Sequence, residues 1–256
     1  MTFVIVGTAF LAALLTLFSG FGLGTILMPV VAIFFPVTVA IAMTAFVHLL
    51  NNLFKLVLLW KNVNWPVVWR FGIPALAATV PGAWLLTHLS DLPEIHAYKF
   101  AGAEAVITPV KLMVGLLLIV FATLEWLPVL KNVNLSPLSL LVGGVLSGFF
   151  GGLSGHQGAF RSAFLIRAGL DKHQFIGSTA AIAAMVDLTR LVVYGINGSL
   201  IFQEVNTGLL IATTAAAFAG VAIGTGSLQK ITMGFIQKLV AGMLYVLGTL
   251  LIVGLL

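Results

Sequence analysis

The chain has 256 residues, of which 61% are apolar and only 7% are Asp, Glu, Lys or Arg. About 25% charged is usual for a globular protein in water, so this sequence cannot cover a soluble fold and is read as an integral membrane protein with no room for a soluble catalytic domain. The 12 Lys plus Arg against 7 Asp plus Glu give a net charge of +5; in a membrane chain such an excess reports loop charges that set orientation, and no water-facing surface is long enough for a nucleic-acid partner.

A hydrocarbon core about 30 Å thick takes roughly 20 helical residues per crossing, which predicts an all-α, polytopic chain of about eight spans. Met1 to Ser19 lack the basic start of a signal peptide and are read as the first span. No formally charged side chain occurs before Lys55. A continuous helix over that stretch would be about 81 Å long, more than twice the bilayer core, so it must break. Ser19-Gly20-Phe21-Gly22-Leu23-Gly24, Pro29 and Pro36 mark the break, followed by a short helical piece. Further spans are expected at 37–60, 67–89, 105–127, 138–153, 172–196, 205–229 and 234–256. Their joints lie near Lys61 to Pro66, Ser90 to Gly102, Pro128 to Pro137, Ala168 to Lys172, Asn197 to Asn206 and Lys230 to Gly234.

An internal repeat runs through this order. Thr44-Ala45 through Asn52-Leu53 and Lys55-Leu56-Val57 align without a gap on Thr179-Ala180 through Asp187-Leu188 and Arg190-Leu191-Val192, a constant offset of 135; Gly24 and Gly158 lie 134 apart. The chain is therefore read as one transmembrane domain, with repeat one at about 1–127 and repeat two at about 128–256. Three spans counted between the matched helices predict parallel repeats. With eight spans, the inner joints would hold Lys99, Arg167, Lys172, Lys230 and nearby Lys238, against Lys61, Arg70 and Lys131 outside, placing both termini in the periplasm.

The candidate chemistry gathers at the glycine breaks and the matched helices. Glycines cost a helix about 1 kcal/mol each against Ala, so runs of them ask for a reason. Gly144, Gly148 and Gly152, Gly151 and Gly155, and Gly220 and Gly224 have the spacing of close helix packing. The alternative is an interrupted helix whose freed N–H groups face an anion near the midplane, which suits Gly22 and Gly24 in one half and Gly155 and Gly158 in the other. His156, Gln157 and Arg161 sit beside the second break, either lining a cavity or forming a positive surface loop with Arg167 and Lys172. His48, Asn51, Asn52 and Lys55 share a helical face, and Asp187 with Arg190 occupies the matching positions. Those residues either serve an anion path, with His48 or Asp187 carrying a proton, or form a local salt bridge and interhelical hydrogen bonds. Zero cysteines exclude thiolate chemistry and Cys-ligated metals, and GxxxxGK[ST], HExxH and GxSxG are all absent. No enzyme activity, cofactor or metal is expected.

At Ser19 to Gly24 with Pro29 beyond, at Gly151-Gly-Leu-Ser-Gly-His-Gln-Gly-Ala-Phe-Arg-Ser-Ala-Phe-Leu165 and in its repetition, the sequence resembles the TauE/SafE family of sulfite exporter-like membrane permeases (TSUP), over residues 5 to 250. It differs in having His156 and Gln157 where more glycines are common, and Ala163 opposite Pro29. The resemblance implies secondary transport of a small anion, a sulfur oxyanion or organosulfonate, across the bacterial cytoplasmic (inner) membrane. The expected substrate-binding set is Gly22, Gly24, Asn52, Lys55, Gly155, His156, Gln157, Gly158, Arg161, Asp187 and Arg190. The expected partners are that anion and the lipid bilayer, with homo-oligomerisation left open; a passive anion channel and a non-transporting membrane subunit are the competing classes.

Overall fold

The computed structural model describes residues 1–16, 23–100, 102–126, 137–197, 206–227 and 233–256. These form ten α-helices and one β-hairpin. In the first half are α1 (Thr2–Thr16), α2 (Leu23–Ala32), α3 (Val37–Leu59, extended by a 3-10 turn to Asn62) and α4 (Trp65–Ser90). The hairpin strands β1 (His96–Phe100) and β2 (Ala103–Ile107) then lead into α5 (Pro109–Trp126). The second half comprises α6 (Pro137–Ser154), α7 (Gly158–Leu165), α8 (Lys172–Asn197), α9 (Thr207–Ser227) and α10 (Met233–Ile252). Large apolar side chains such as Phe3, Val57 and Ile196 stand exposed on the outside, as suits a surface solvated by lipid, while polar and charged side chains are buried within.

Local chemistry accounts for the breaks. Pro36 precedes α3 and supplies no N–H to a continuing helix. The Asn64 side chain caps α4 by accepting from the Val67 N–H at 3.2 Å, with Pro66 in the first turn where its missing N–H costs nothing. Gly155 ends α6 with φ +81°, a left-handed conformation that favours glycine.

Contacts between the helices give their directions. α3 and α8 run antiparallel: Leu59 near the end of α3 meets Gly177 near the start of α8, and His48 meets Asp187 at their middles. α4 and α6 run parallel, with Phe71, Ala75 and Thr79 meeting Gly144, Gly148 and Gly152 in turn. α8 starts beside α4, where the Asn64 N–H donates to Ser178 Oγ at 2.9 Å, and meets it again where Gly72 faces Met185. α6 and α8 therefore point the same way, and α7 returns the chain between them. Gly143 against Phe164 and Gly151 against Gln157 confirm α6–α7 as an antiparallel hairpin with its tip at Gly155–Gln157. α1 and α2 are short and pack on each other, α1 also packs on α9, and α5 packs antiparallel on α10, with Gly115 against Ile252 and Thr123 against Tyr245, whose hydroxyls lie 2.8 Å apart.

Three expectations change. The matched helices α3 and α8 are antiparallel rather than parallel, because α6 enters and the chain turns back instead of crossing. Eight crossings do not follow either: among the described residues four helices, Val37–Asn62, Trp65–Ser90, Lys172–Ile196 and Thr207–Gly224, are long and apolar enough to cross a membrane. The fourth expected span begins too early, since residues 103–107 form β2, paired antiparallel with β1 from His96↔Ile107 to Phe100↔Ala103. That hairpin holds the C-terminal end of the chain, with the Val106 N–H donating to the Gly254 carbonyl and the Tyr98 hydroxyl to the Val253 carbonyl.

The same directions regroup the surface charges. Lys61 and Arg70, expected opposite Arg167 and Lys172, share their end of the bundle, along with Trp60, Trp65 and Trp69, whose rings contact one another in sequence. Lys99 lies at the other end, on the hairpin.

Candidate functional site

The tip of the α6–α7 hairpin meets the start of α2 beside the middles of α3 and α8. A Cβ on Gly24 would stand 3.6 Å from Thr44 Cγ2 and 3.8 Å from the Gly155 carbonyl oxygen. Gly22 lies outside the described residues; Gly158 is the buried first residue of α7. One on Gly155 would stand 2.7 Å from Arg190 Nη1, so the missing side chain lets a guanidinium approach the broken backbone. Other glycines of the same run serve packing. At Gly148 and Gly152 an added Cβ would strike the carbonyl oxygens of Ala75 and Thr79, which is why α6 lies so close to α4. Gly220 plays the corresponding part where α9 meets Phe10 of α1.

Asp187 is the hub of the polar centre. Its Oδ1 accepts from Arg190 Nε at 3.0 Å, Arg190 Nη2 at 2.7 Å and Gln157 Nε2 at 3.0 Å. Its Oδ2 lies 2.6 Å from His48 Nδ1, which must donate because a carboxylate only accepts. Gln157 then passes the network on, its Oε1 accepting from Arg161 Nη1 at 2.9 Å. Its own carbonyl accepts from Ser147 Oγ at 3.0 Å, fixing the tip to α6. Asn52 supports His48 by donating from Nδ2 to the His48 carbonyl at 2.8 Å. The expected Asp187–Arg190 salt bridge is thus real, but it also joins α3, α7 and α8.

The charge balance is uneven. Lys55, Arg161 and Arg190 are 8%, 2% and 1% exposed, and among the described residues Asp187 is the one buried carboxylate. Arg190 pairs with Asp187. Arg161 and Lys55 form no ion pair among the described residues, although each lies within electrostatic reach of the other. Burial also rules out the surface-loop reading for Arg161, which sits inside α7 while Lys172 is exposed. Several buried polar atoms have no hydrogen-bond partner among the described residues: Arg161 Nε, His156 Nε2, both side-chain polar atoms of Asn51, and Thr44 Oγ1. Each such atom costs about 1–3 kcal/mol when left unsatisfied, so a cluster of them around excess positive charge suits a site that a ligand completes.

Sequence reasoning missed three contributors. Phe121 of α5 stacks on the His156 ring with centroids 5.4 Å apart. Tyr194, buried one turn beyond Arg190, donates from its hydroxyl to the Gly152 carbonyl. Ser147 holds the hairpin tip. The step of four from Arg190 to Tyr194 was legible as a shared helical face, whereas no spacing links Phe121 to the tip.

A broken helical hairpin, α6–α7, that meets the start of α2 at a buried, positively charged centre within an apolar bundle suits a multi-pass membrane protein of the transporter class. Residues 5–251 match the model of the family described as Sulfite exporter TauE/SafE, and the chain belongs to that family, one of membrane transporters of sulfur compounds. No curated protein and no solved structure matches the chain.

Proposed function

We propose that the protein is a secondary transporter of a small sulfur-containing anion, an oxyanion or organosulfonate, in the bacterial cytoplasmic membrane. The observation that carries this reading is the surplus of buried cations where the tip of the α6–α7 hairpin meets the start of α2. Buried charge is tolerated in a membrane interior when it is paired or functional, and here Asp187 answers for only one of three cations. An anion held by Arg161, Lys55 and the backbone around Gly24, Gly155 and Gly158 supplies the missing charge. Asp187 and Gln157 position Arg190 and Arg161, and Asn52 positions His48.

The two halves are read as inverted repeats, α1–α5 and α6–α10. The 135-residue offset pairs α3 with α8, and the packing of α4 on α6 has its counterpart in that of α9 on α1. Inverted repeats with the site at their interface suit alternating access, in which one half rocks against the other. By the positive-inside rule the end bearing Lys61, Arg70, Arg167 and Lys172 faces the cytoplasm, with the C-terminus in the periplasm.

Uptake and efflux in proteoliposomes, with sulfite, thiosulfate, sulfate and methanesulfonate as probes, test the reading. A saturable flux of at least one of them is expected. Arg161→Gln should raise the half-saturating concentration by about tenfold or more, because a desolvated charge pair is worth more than a screened one. Absence of flux for every probe, or unchanged half-saturation in Arg161→Gln and Lys55→Gln alike, would overturn it.

A further inference from the structure

We propose that the anion occupies its site together with one proton, shared between an anion oxygen and Nε2 of His156. This inference rests on the transport reading above and adds the protonation state in which the site is filled.

His156 sits at the tip of the α6–α7 hairpin and is 2% exposed. Its Nδ1 lies 3.0 Å from the Ser154 carbonyl oxygen. A carbonyl oxygen only accepts, so Nδ1 carries the hydrogen, and in the neutral ring Nε2 is a bare acceptor. Nε2 is buried and has no hydrogen-bond partner among the described residues. Phe121 stacks on the ring at an interplanar angle of 10°, and the bond to Ser154 fixes its rotation. The ring therefore cannot turn its N–H toward a ligand without giving up that bond.

A bare lone pair is the wrong group to meet an oxyanion, because two acceptors repel. One proton between them converts the clash into an N–H···O⁻ hydrogen bond of the charge-assisted kind. The charged group that acts on the ring is Arg190 of α8, whose guanidinium approaches the adjacent Gly155. Toward α5 the ring meets Phe121, and its own tip contributes the Ser154 carbonyl. Arg190 opposes a positive charge at Nε2 and an anion favours it, so proton and anion bind cooperatively, each strengthening the other to the same degree. Only a proton moves: an N–H bond forms at Nε2 as an O–H bond breaks, either in water, whose hydroxide the bulk buffer neutralises, or in the anion itself when it arrives as its conjugate acid.

The test is calorimetric titration of the purified full-length protein in detergent, in buffers of differing ionisation enthalpy, which counts protons taken up per anion bound. Methanesulfonate stays ionised and must draw the proton from water, whereas sulfite can bring its own. About one proton per methanesulfonate is expected on the alkaline side, with affinity falling about tenfold per pH unit there. Binding of sulfite alone, restricted to its protonated form, would equally support the proposal and assign the proton to the anion. In His156→Gln, where an amide N–H takes the place of the ring nitrogen, affinity should lose its pH dependence. Should that variant not fold, the wild-type proton count decides alone. Anion binding by the wild type without proton uptake at any pH, or a His156→Gln variant with the wild-type proton count, would overturn the proposal while leaving anion transport standing. Failure of every probe anion to bind would remove the transport reading and this inference with it.

Discussion

Replacing Asp187 with Asn takes one negative charge from the buried centre while sparing its hydrogen-bond geometry. The Asn oxygen can keep the place of Oδ1, which accepts from both Arg190 nitrogens and from Gln157. The new amide nitrogen then faces His48 Nδ1, where the carboxylate oxygen lay at 2.6 Å. His48 accommodates it by moving its own hydrogen to Nε2, so that Nδ1 accepts. What the substitution removes is therefore chiefly charge, leaving Arg190 buried without a counter-ion. Breaking a buried pair at one partner costs about 3–5 kcal/mol, a large part of the 5–15 kcal/mol that holds a typical domain together. Thermal unfolding of purified variants in detergent would read the loss. The double variant Asp187→Asn with Arg190→Gln should recover part of it, and a saturating anion should stabilise Asp187→Asn more than wild type, since the ligand supplies the absent charge. A single variant within about 1 kcal/mol of wild type would show that Asp187 bears no charge in the folded protein and would sink the argument.

The antiparallel crossing of α3 and α8 can be trapped chemically, because the chain has no cysteine of its own. A Cβ on Gly177 would lie 3.5 Å from that of Leu59, within the span of a disulfide, so Leu59→Cys with Gly177→Cys should cross-link on mild oxidation and shift on a non-reducing gel, the shift being lost when reductant is added; no cross-link would refute the helix directions. Alanine should separate the two kinds of glycine. Gly148→Ala and Gly152→Ala drive a Cβ into the backbone of α4 and should cost about 1–3 kcal/mol of thermal stability. Among the described residues Gly24→Ala meets only ordinary contacts and should fold normally, while Gly24→Leu should fold but lose flux, and equal stability losses at all three positions would dismiss the distinction.

Some of this molecule is legible in its sequence alone, because its causes are local. Hydropathy requires no knowledge of neighbours, so membrane class and most helix positions followed from composition and run length: α8 was expected at 172–196 and lies at Lys172–Asn197. Glycine and proline act on their own backbone, which made the break after α6 readable. Repeat spacing placed Asn52 and Lys55 opposite Asp187 and Arg190 on equivalent helices. Direction was a different matter. An apolar stretch long enough to cross reads the same whether the chain crosses or returns, so by hydropathy α6 reads as a span and the matched helices as parallel. Only the packing of α6 on α4 and of Phe164 on Gly143 shows the return. The roles of individual glycines were equally hidden, since a residue without a side chain carries no mark of what occupies the space. Tertiary structure assigned Gly148 and Gly152 to helix packing and Gly155 to the approach of Arg190. It also brought Phe121 against His156 and gathered His48, Gln157 and Arg190 around one carboxylate. Such contacts join residues far apart in the chain, and no local periodicity encodes which helices will meet.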